Sequence, residues 1–515
     1  MSKLYGAMIF ITMLVSAAIA GGEPELPNLA WLHLVRSSTA PNYSGQTEEW
    51  AWNGGVALDP TGSLYVAGGT GSFHDYIDAI LAKLNADGEP EWTALLEHGE
   101  GIRVAVDSKG NAFLTGLDFS SSTNESAGIV LAKFNSAGDV QWGVSWEIPG
   151  SPYDDLMAIA TDIGGNSYVS GEAYSPTGYA YLVKFDSLGN LVWKKSWNYA
   201  NISQANNVAT DPNGNVYVAG CTGNDSFLVQ FNSDGAPHWG VTLHEDNVAV
   251  RIEGMAVDSS GDIYTVADDW AVANDRIISI LPRVLLAKFS PNGRAYWAES
   301  LGIQDLSKTV YVTAGGVAVD GAGDPYIVGD RQINETTWPP SEIYLAKFQS
   351  DGKPYWTIGL LRHYEVHAVG VGVNRSNDVY VVGSFSFEMP QASPPIRLNA
   401  TGRNPNITVR ALTPRTVESG FAVRRLAASR FSQVNLTAYS SGGGDGSMGT
   451  HDAIFVMQLQ GHAAVTTTTT VATQATQTTS MITAPIPFLY FPAILIAILV
   501  GLFVVTRKRR RKGTQ

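Results

Sequence analysis

The chain has 515 residues, with 33 Lys and Arg against 47 Asp and Glu and a formal net charge of −14. That acidity argues against nucleic acid as a partner, because binding to a phosphate backbone rests on Lys and Arg. One cysteine, Cys221, excludes an internal disulfide framework, so the fold must rest on its hydrophobic core.

In chain order, residues 1–20 carry Lys3, an apolar run from Ala7 and the small-residue site Ala18-Ile19-Ala20, the pattern of a secretory signal peptide. At the other end, residues 486–505 hold no charge. As a helix at about 1.5 Å per residue they reach about 30 Å, the thickness of a bilayer core. The basic tail, residues 506–515 with its run from Arg507 to Lys512, predicts that the tail is inside and everything before the helix outside. Residues 466–485 begin Thr-rich and cannot pack a core, so they read as an extended, O-glycosylated stalk. Nine N-x-S/T sequons, at Asn42, Asn124, Asn201, Asn224, Asn334, Asn374, Asn399, Asn406 and Asn435, predict a glycosylated surface.

Between these ends, residues 21–465 are repetitive. A first phrase recurs seven times, as in GVALDPTGSLYVAG, centred on Asp59, Asp107, Asp162, Asp211, Asp258, Asp320 and Asn374. A second follows it six times, as in ILAKLNADGEPEWTAL. Its Lys or Gln always stands nine residues before its Trp, from Lys83/Trp92 through Gln230/Trp239 to Lys347/Trp356. Each phrase is two short β-rich runs joined by D-x-x-G or N-x-x-G, which suits a type I turn. Each unit is therefore four strands, A to D, and radially packed four-stranded units describe a β-propeller. The last C strand, Asp452 to Leu459, has no Trp strand after it, and an orphan D strand, Leu29 to Val35, stands at the beginning. The expectation is an all-β, seven-bladed propeller closed by its N-terminal strand. Small residues in the A strands suit crowding at the axis, and the tryptophans fill the gaps between blades.

These phrases resemble the SBBP β-propeller repeats of bacterial and archaeal surface proteins, best at Asp78 to Trp92. The resemblance implies a surface-exposed adhesive or scaffolding protein and brings no catalytic residue. The chain departs from it at Gln230, at Asn374 and Asn377, and in a large blade-seven insertion.

The A–B and C–D turns share one face and are tight; the B–C and D–A connections share the other and vary. From turn Asp to the following Lys or Gln the separations are 24, 26, 22, 19, 30 and 27 residues, then 84 in blade seven. The insertion, about 385–451, is expected to cap the variable face, where binding is expected. Tyr174, Trp270 and Trp338 are the aromatic candidates there. His363, Glu365 and His367 alternate as zinc ligands could on an extended chain. The spacing in Ala132 to Trp142 is similar to the tryptophan-docking repeat of quinoprotein dehydrogenases. Phe134 stands where that repeat has Asp, however, and a vicinal cysteine pair is missing, so no cofactor is expected. The leading reading is a membrane-anchored surface module binding an extracellular protein, glycan or envelope component. The alternative is an extracellular glycan hydrolase or lyase with its site over the channel.

Overall fold

The computed structural model describes the strands and tight turns between Asn28 and Gln460. Outside the described residues lie 1–27, 36–49, 53–54, 72–77, 119–127, 148–153, 174–177, 199–202, 274–275, 304–308, 334–340, 364–365, 386–390, 393–397, 404–407, 413–422, 426–430, 434–452 and 461–515. The expected signal peptide, stalk, membrane span and basic tail all fall there. Among the described residues no helix is long and apolar enough to cross a membrane.

The chain folds into seven antiparallel sheets, one per repeat. Blade two shows the plan: β7 (Gly99–Val106), β8 (Ala112–Asp118), β9 (Gly128–Phe134) and β10 (Val140–Trp146) run outward from the axis in order. Inner strands of successive blades touch all the way round. β27 (Val366–Val373) of blade seven meets β3 (Val56–Leu58) of blade one, which closes the circle. The predicted latch is present: β1 (Asn28–Val35) pairs antiparallel with β34 (Ala453–Gln460), Leu34 opposite Phe455. It supplies blade seven with its outermost strand.

The turns form as their residues dictate. In blade two the amide of Gly110 donates to the carbonyl of Asp107 at 3.0 Å, closing a type I turn. Gly110 then takes φ 76°, where a side chain is strained. Blade seven does the same with other residues: Asn374 replaces Asp, and Asn377 accepts φ 64° in place of Gly. The crowding expected at the axis is also present. A Cβ on Gly315 would lie 2.4 Å from the carbonyl oxygen of Ala368 in the next blade.

The described parts of the blade-seven insertion correct one expectation, because they do not cap the variable face. They pair with the outer edges of the blades. β29 (Gln391–Ala392) joins blade six, β30 (Leu398–Arg403) blade five and β31 (Thr408–Leu412) blade four. β32 (Val423–Arg425) then joins blade two and β33 (Phe431–Gln433) blade one. The insertion is a belt running round the propeller against the blade order. The physical reason is the row of unpaired N–H and C=O groups that every outermost strand presents, which an extended segment satisfies.

Candidate functional site

The two ends of the propeller differ in kind. At the tight-turn end, the turn carboxylates are consumed by the fold. Asp162 Oδ1 accepts the amides of Gly164 and Asn166 at 2.9 and 3.0 Å, and Oδ2 accepts Tyr168 Oη at 2.9 Å. Asp258, in the turn most like a calcium loop, accepts the amides of Ser260 and Asp262 in the same way. Asp262 is paired with Lys288 at 2.9 Å. Burial and the adjacent carboxylate push the Tyr168 phenol well above its usual range, so it remains a donor. The A–B turns of blades seven, one and two enclose a cavity of about 360 Å³ floored by Leu58, Val106 and Val373.

At the opposite end, successive blades carry different residues at one register position. The sixth residue of the B strand is Gly69, Leu117, Glu172, Cys221, Asp268, Asp330 and Ser384 around the ring. Four of these reach polar groups on neighbouring strands. Glu172 accepts a hydrogen bond from Gln204 Nε2 at 2.5 Å, and Gln204 Oε1 accepts one from Cys221 Sγ at 3.0 Å. Asp268 Oδ1 accepts the Ala314 amide at 2.6 Å. Asp330 accepts the Ala368 amide at 2.7 Å and meets His367 Nδ1 at 3.0 Å. These carboxylates bond to inner strands of the next blade, so they also join the blades.

Nearer the axis, most inner strands bulge at a common level, with register shifts at Gly101/Arg103, Ile252/Gly254 and Ala314/Gly316 among others. Bulges re-aim side chains and collect near functional sites. Here they carry Arg103 and Glu253, where blade six has Gly316 and Gly315. Glu253 is open to solvent, yet its surroundings raise its carboxyl pKa by desolvation, offset in part by Arg251 and Arg103. Burial lowers the Arg103 guanidinium, and Glu253 opposes that shift. Burial first, and then Glu253, push Asp268 up to about 8. Asp269 beside it is pushed up to about 7 by burial, against the pull of Arg283 at 2.7 Å. Chemically, this end offers two carboxyl groups of raised pKa, Asp268 buried and Glu253 exposed, and two guanidinium groups.

Of the predicted site residues, Trp270 belongs to this region. It sits in β20 (Ile263–Ala273), with the Arg251 guanidinium 5.7 Å from its ring centre. Its indole N–H is buried with no hydrogen-bond partner among the described residues. Tyr174, Trp338 and Glu365 lie outside the described residues, and of His363 only the backbone is described. His367 is engaged with Asp330, and among the described residues no group of His, Cys, Asp and Glu is arranged to hold a metal. Of the sequons, Asn224 is exposed in the turn after β16 (Val216–Thr222), whereas the Asn374 amide donates to Asp378 at 2.9 Å inside its own turn. The backbone of Asn399 pairs with Gly302 in the belt, and the other sequons lie outside the described residues. Motif reading passed over Arg103, Glu172, Gln204, Arg251, Glu253, Asp268 and Asp330. Superposing the repeats on one another would have exposed them as departures.

The profile of the SBBP β-propeller repeat matches residues 198–227, which include the first two strands of blade four and the start of its third. No curated protein matches the chain in sequence. Among solved structures it is similar to the Dos1 propeller, with 11% identity over 69% of this chain and 95% of that one, TM-score 0.35. It is also similar to the polysaccharide lyase Uly1, with 10% identity over 76% and 100%, TM-score 0.38. A Dyadobacter fermentans protein of unknown function gives 12% identity over 68% and 94%, TM-score 0.37. With the repeat phrase in register through seven blades, the match supports reading the chain as built of SBBP-type β-propeller repeats.

Proposed function

We propose that this protein is a membrane-anchored, secreted-side binding module whose ligand docks at the B–C/D–A end of the axis. The observation that carries the reading is the contrast between the ends. Residues a propeller needs recur round the ring, as the turn Asp (Asn374 in blade seven) and the outer Trp do. Arg103, Arg251 and Glu253 occur once each, Asp268 has its only counterpart in Asp330, and these groups converge at one end, where loops vary. Buried and half-buried charges are costly unless they have a use, and such groups gather at binding and catalytic sites. Paired guanidinium and carboxyl groups suit a polar, hydrogen-bonding ligand: a glycan or a protein loop of the cell envelope. The charge-free span at 486–505, the basic tail and the sequons support the anchored, outward placement.

A second reading rests on Asp268. A carboxyl pushed up to about 8 beside an ionisable Glu253 is a pair set for general acid–base work, as a glycan hydrolase or lyase requires. One assay separates the two. Purified Gly21 to Ser480 is applied to a glycan array and to cell surfaces, with released product followed by mass spectrometry. Saturable retention without product supports binding, and turnover supports the enzyme. Neither result would remove both readings.

A further inference from the structure

The cavity at the tight-turn end is lined by residues of unequal standing in the repeat. It holds about 360 Å³ among the A–B turns of blades seven, one and two, a size that suits a small molecule. Leu58, Val106 and Val373 give it an apolar floor, and Ser108, Arg375 and Ser376 are exposed along it. Arg375 is not something the fold requires. The residue after the turn Asp is Pro60, Ser108, Ile163, Pro212, Ser259 and Gly321 in the other blades, none of them charged. Blade seven closes its turn through the same contact as its sisters, the Asn377 amide donating to the Asn374 carbonyl at 3.0 Å. Arg375 takes no part in that bond, and no carboxylate pairs with it among the described residues.

Two carboxylates border the same cavity, Asp59 and Asp107, but the fold has used their oxygens. Asp59 Oδ1 accepts the amides of Thr61 and Ser63 at 2.8 and 3.0 Å. Asp107 Oδ1 accepts the amides of Lys109 and Asn111, both at 2.9 Å. Its Oδ2 accepts Asn111 Nδ2 at 2.8 Å, with the Lys133 ammonium 3.8 Å away. The third turn brings no carboxylate to this place, because Asn374 stands where six blades have Asp. What the cavity presents is therefore one guanidinium, two serine hydroxyls and an apolar floor.

We propose that this cavity binds a small hydroxy-carboxylate, at a site separate from the one at the B–C/D–A end. Arg375 takes the carboxylate, since a guanidinium presents its donors in a fork that matches two carboxylate oxygens. Ser108 and Ser376 bond the hydroxyl, and the carbon skeleton lies on Leu58, Val106 and Val373. One guanidinium balances the single charge of a carboxylate, and the apolar floor suits an organic acid better than phosphate or sulfate. A free hydroxy acid and a uronic acid unit of a glycan present this same chemistry.

The test is isothermal titration calorimetry on Gly21 to Ser480, which contains every blade and the closing strand pair. The protein is made in a host that adds no N-glycan, because Asn374 borders the cavity. Lactate, glucuronate, inorganic phosphate and sulfate are titrated separately. Saturable heat with lactate supports the proposal and marks a free acid; heat with glucuronate alone supports it and marks a uronate unit. Arg375→Ser copies what blade two itself carries, so it should leave the melting temperature unchanged. It should weaken carboxylate binding by about tenfold or more, as loss of a charged hydrogen bond does. Arg375→Lys keeps the charge without the fork and should fall between the two. No saturable heat with either carboxylate overturns the proposal, as does carboxylate binding that Arg375→Ser leaves unchanged. Binding of phosphate or sulfate without either carboxylate overturns it too.

Discussion

The indole N–H of Trp142 donates to the carbonyl of Ser187, in the next blade, at 3.1 Å. Its ring lies against Gly189 of the same turn, where an added Cβ would come within 2.6 Å of the indole. Trp92 with Ser136 and Gly138, and Trp297 with Ser350 and Gly352, repeat the relationship. The Trp of one repeat and the N-x-x-G or D-x-x-G turn of the next are therefore two halves of one joint. Their conserved spacing within the chain is the spacing of the blades.

Trp142→Ala should destabilise the propeller by about 3–5 kcal/mol, as loss of a large buried ring does. Gly189→Ala and Gly214→Ala separate the joint from the backbone. Both glycines have positive φ, 78° and 80°, but a Cβ on Gly214 meets nothing within 4 Å. Gly214→Ala should cost about 1 kcal/mol from backbone strain alone, and Gly189→Ala clearly more. Urea titrations of the two variants measure the difference, and equal losses would contradict the joint.

Deleting Asn28–Val35 leaves β34 as an open apolar edge and the ring without its latch. The product should be insoluble or unfold without cooperativity. A soluble deletion variant with a single sharp thermal transition would show that the latch is dispensable.

Asp268 makes stability depend on pH. Its pKa is raised in the folded chain, so between about pH 4 and about 8 the folded state holds a proton that the unfolded chain has released. Its contribution is therefore full below about pH 4 and is lost as pH rises toward 8. Asp268→Asn keeps an acceptor for the Ala314 amide and does not ionise. The variant should gain on the parent between pH 5 and pH 8 in thermal melts. A parallel pH dependence of the two proteins would remove the raised pKa.

Glycan attachment should follow the availability of the amide nitrogen. Asn224 is exposed, whereas Asn374 spends its Nδ2 on Asp378 and its Oδ1 on the amides of Ser376 and Asp378. Peptide mass spectrometry of the protein expressed through a secretory pathway should find glycan at Asn224 and not at Asn374. The reverse pattern would mean that the blade-seven turn forms after modification or not at all.

Much of the fold was legible because its determinants recur. Asp107, Lys133 and Trp142 have counterparts throughout the ring, so their spacing revealed strands, turns and the closing strand before any coordinate. The belt was not legible. Segments such as Leu398–Arg403 pair by backbone groups at an edge, and nothing in their side chains says which edge. The candidate site escaped for a related reason. Arg251 and Glu253 are functional candidates because they break the repeat, while motif reading attends to what repeats. Trp270 was found by its loop position, and its place beneath Arg251 required the structure.

The central claim is that the B–C/D–A end of the axis takes the ligand. The most direct measurement compares Glu253→Gln with Asp87→Asn in the glycan-array and cell-surface assay. Both carboxyl groups are exposed, Asp87 in a C–D turn at the tight-turn end and Glu253 at the bulge of an inner strand on the axis. The account predicts that Glu253→Gln lowers retention at least about tenfold, as loss of a charged contact at a binding centre does, and that Asp87→Asn leaves it unchanged. Retention that survives Glu253→Gln and falls with Asp87→Asn would contradict it and move the ligand to the tight-turn end.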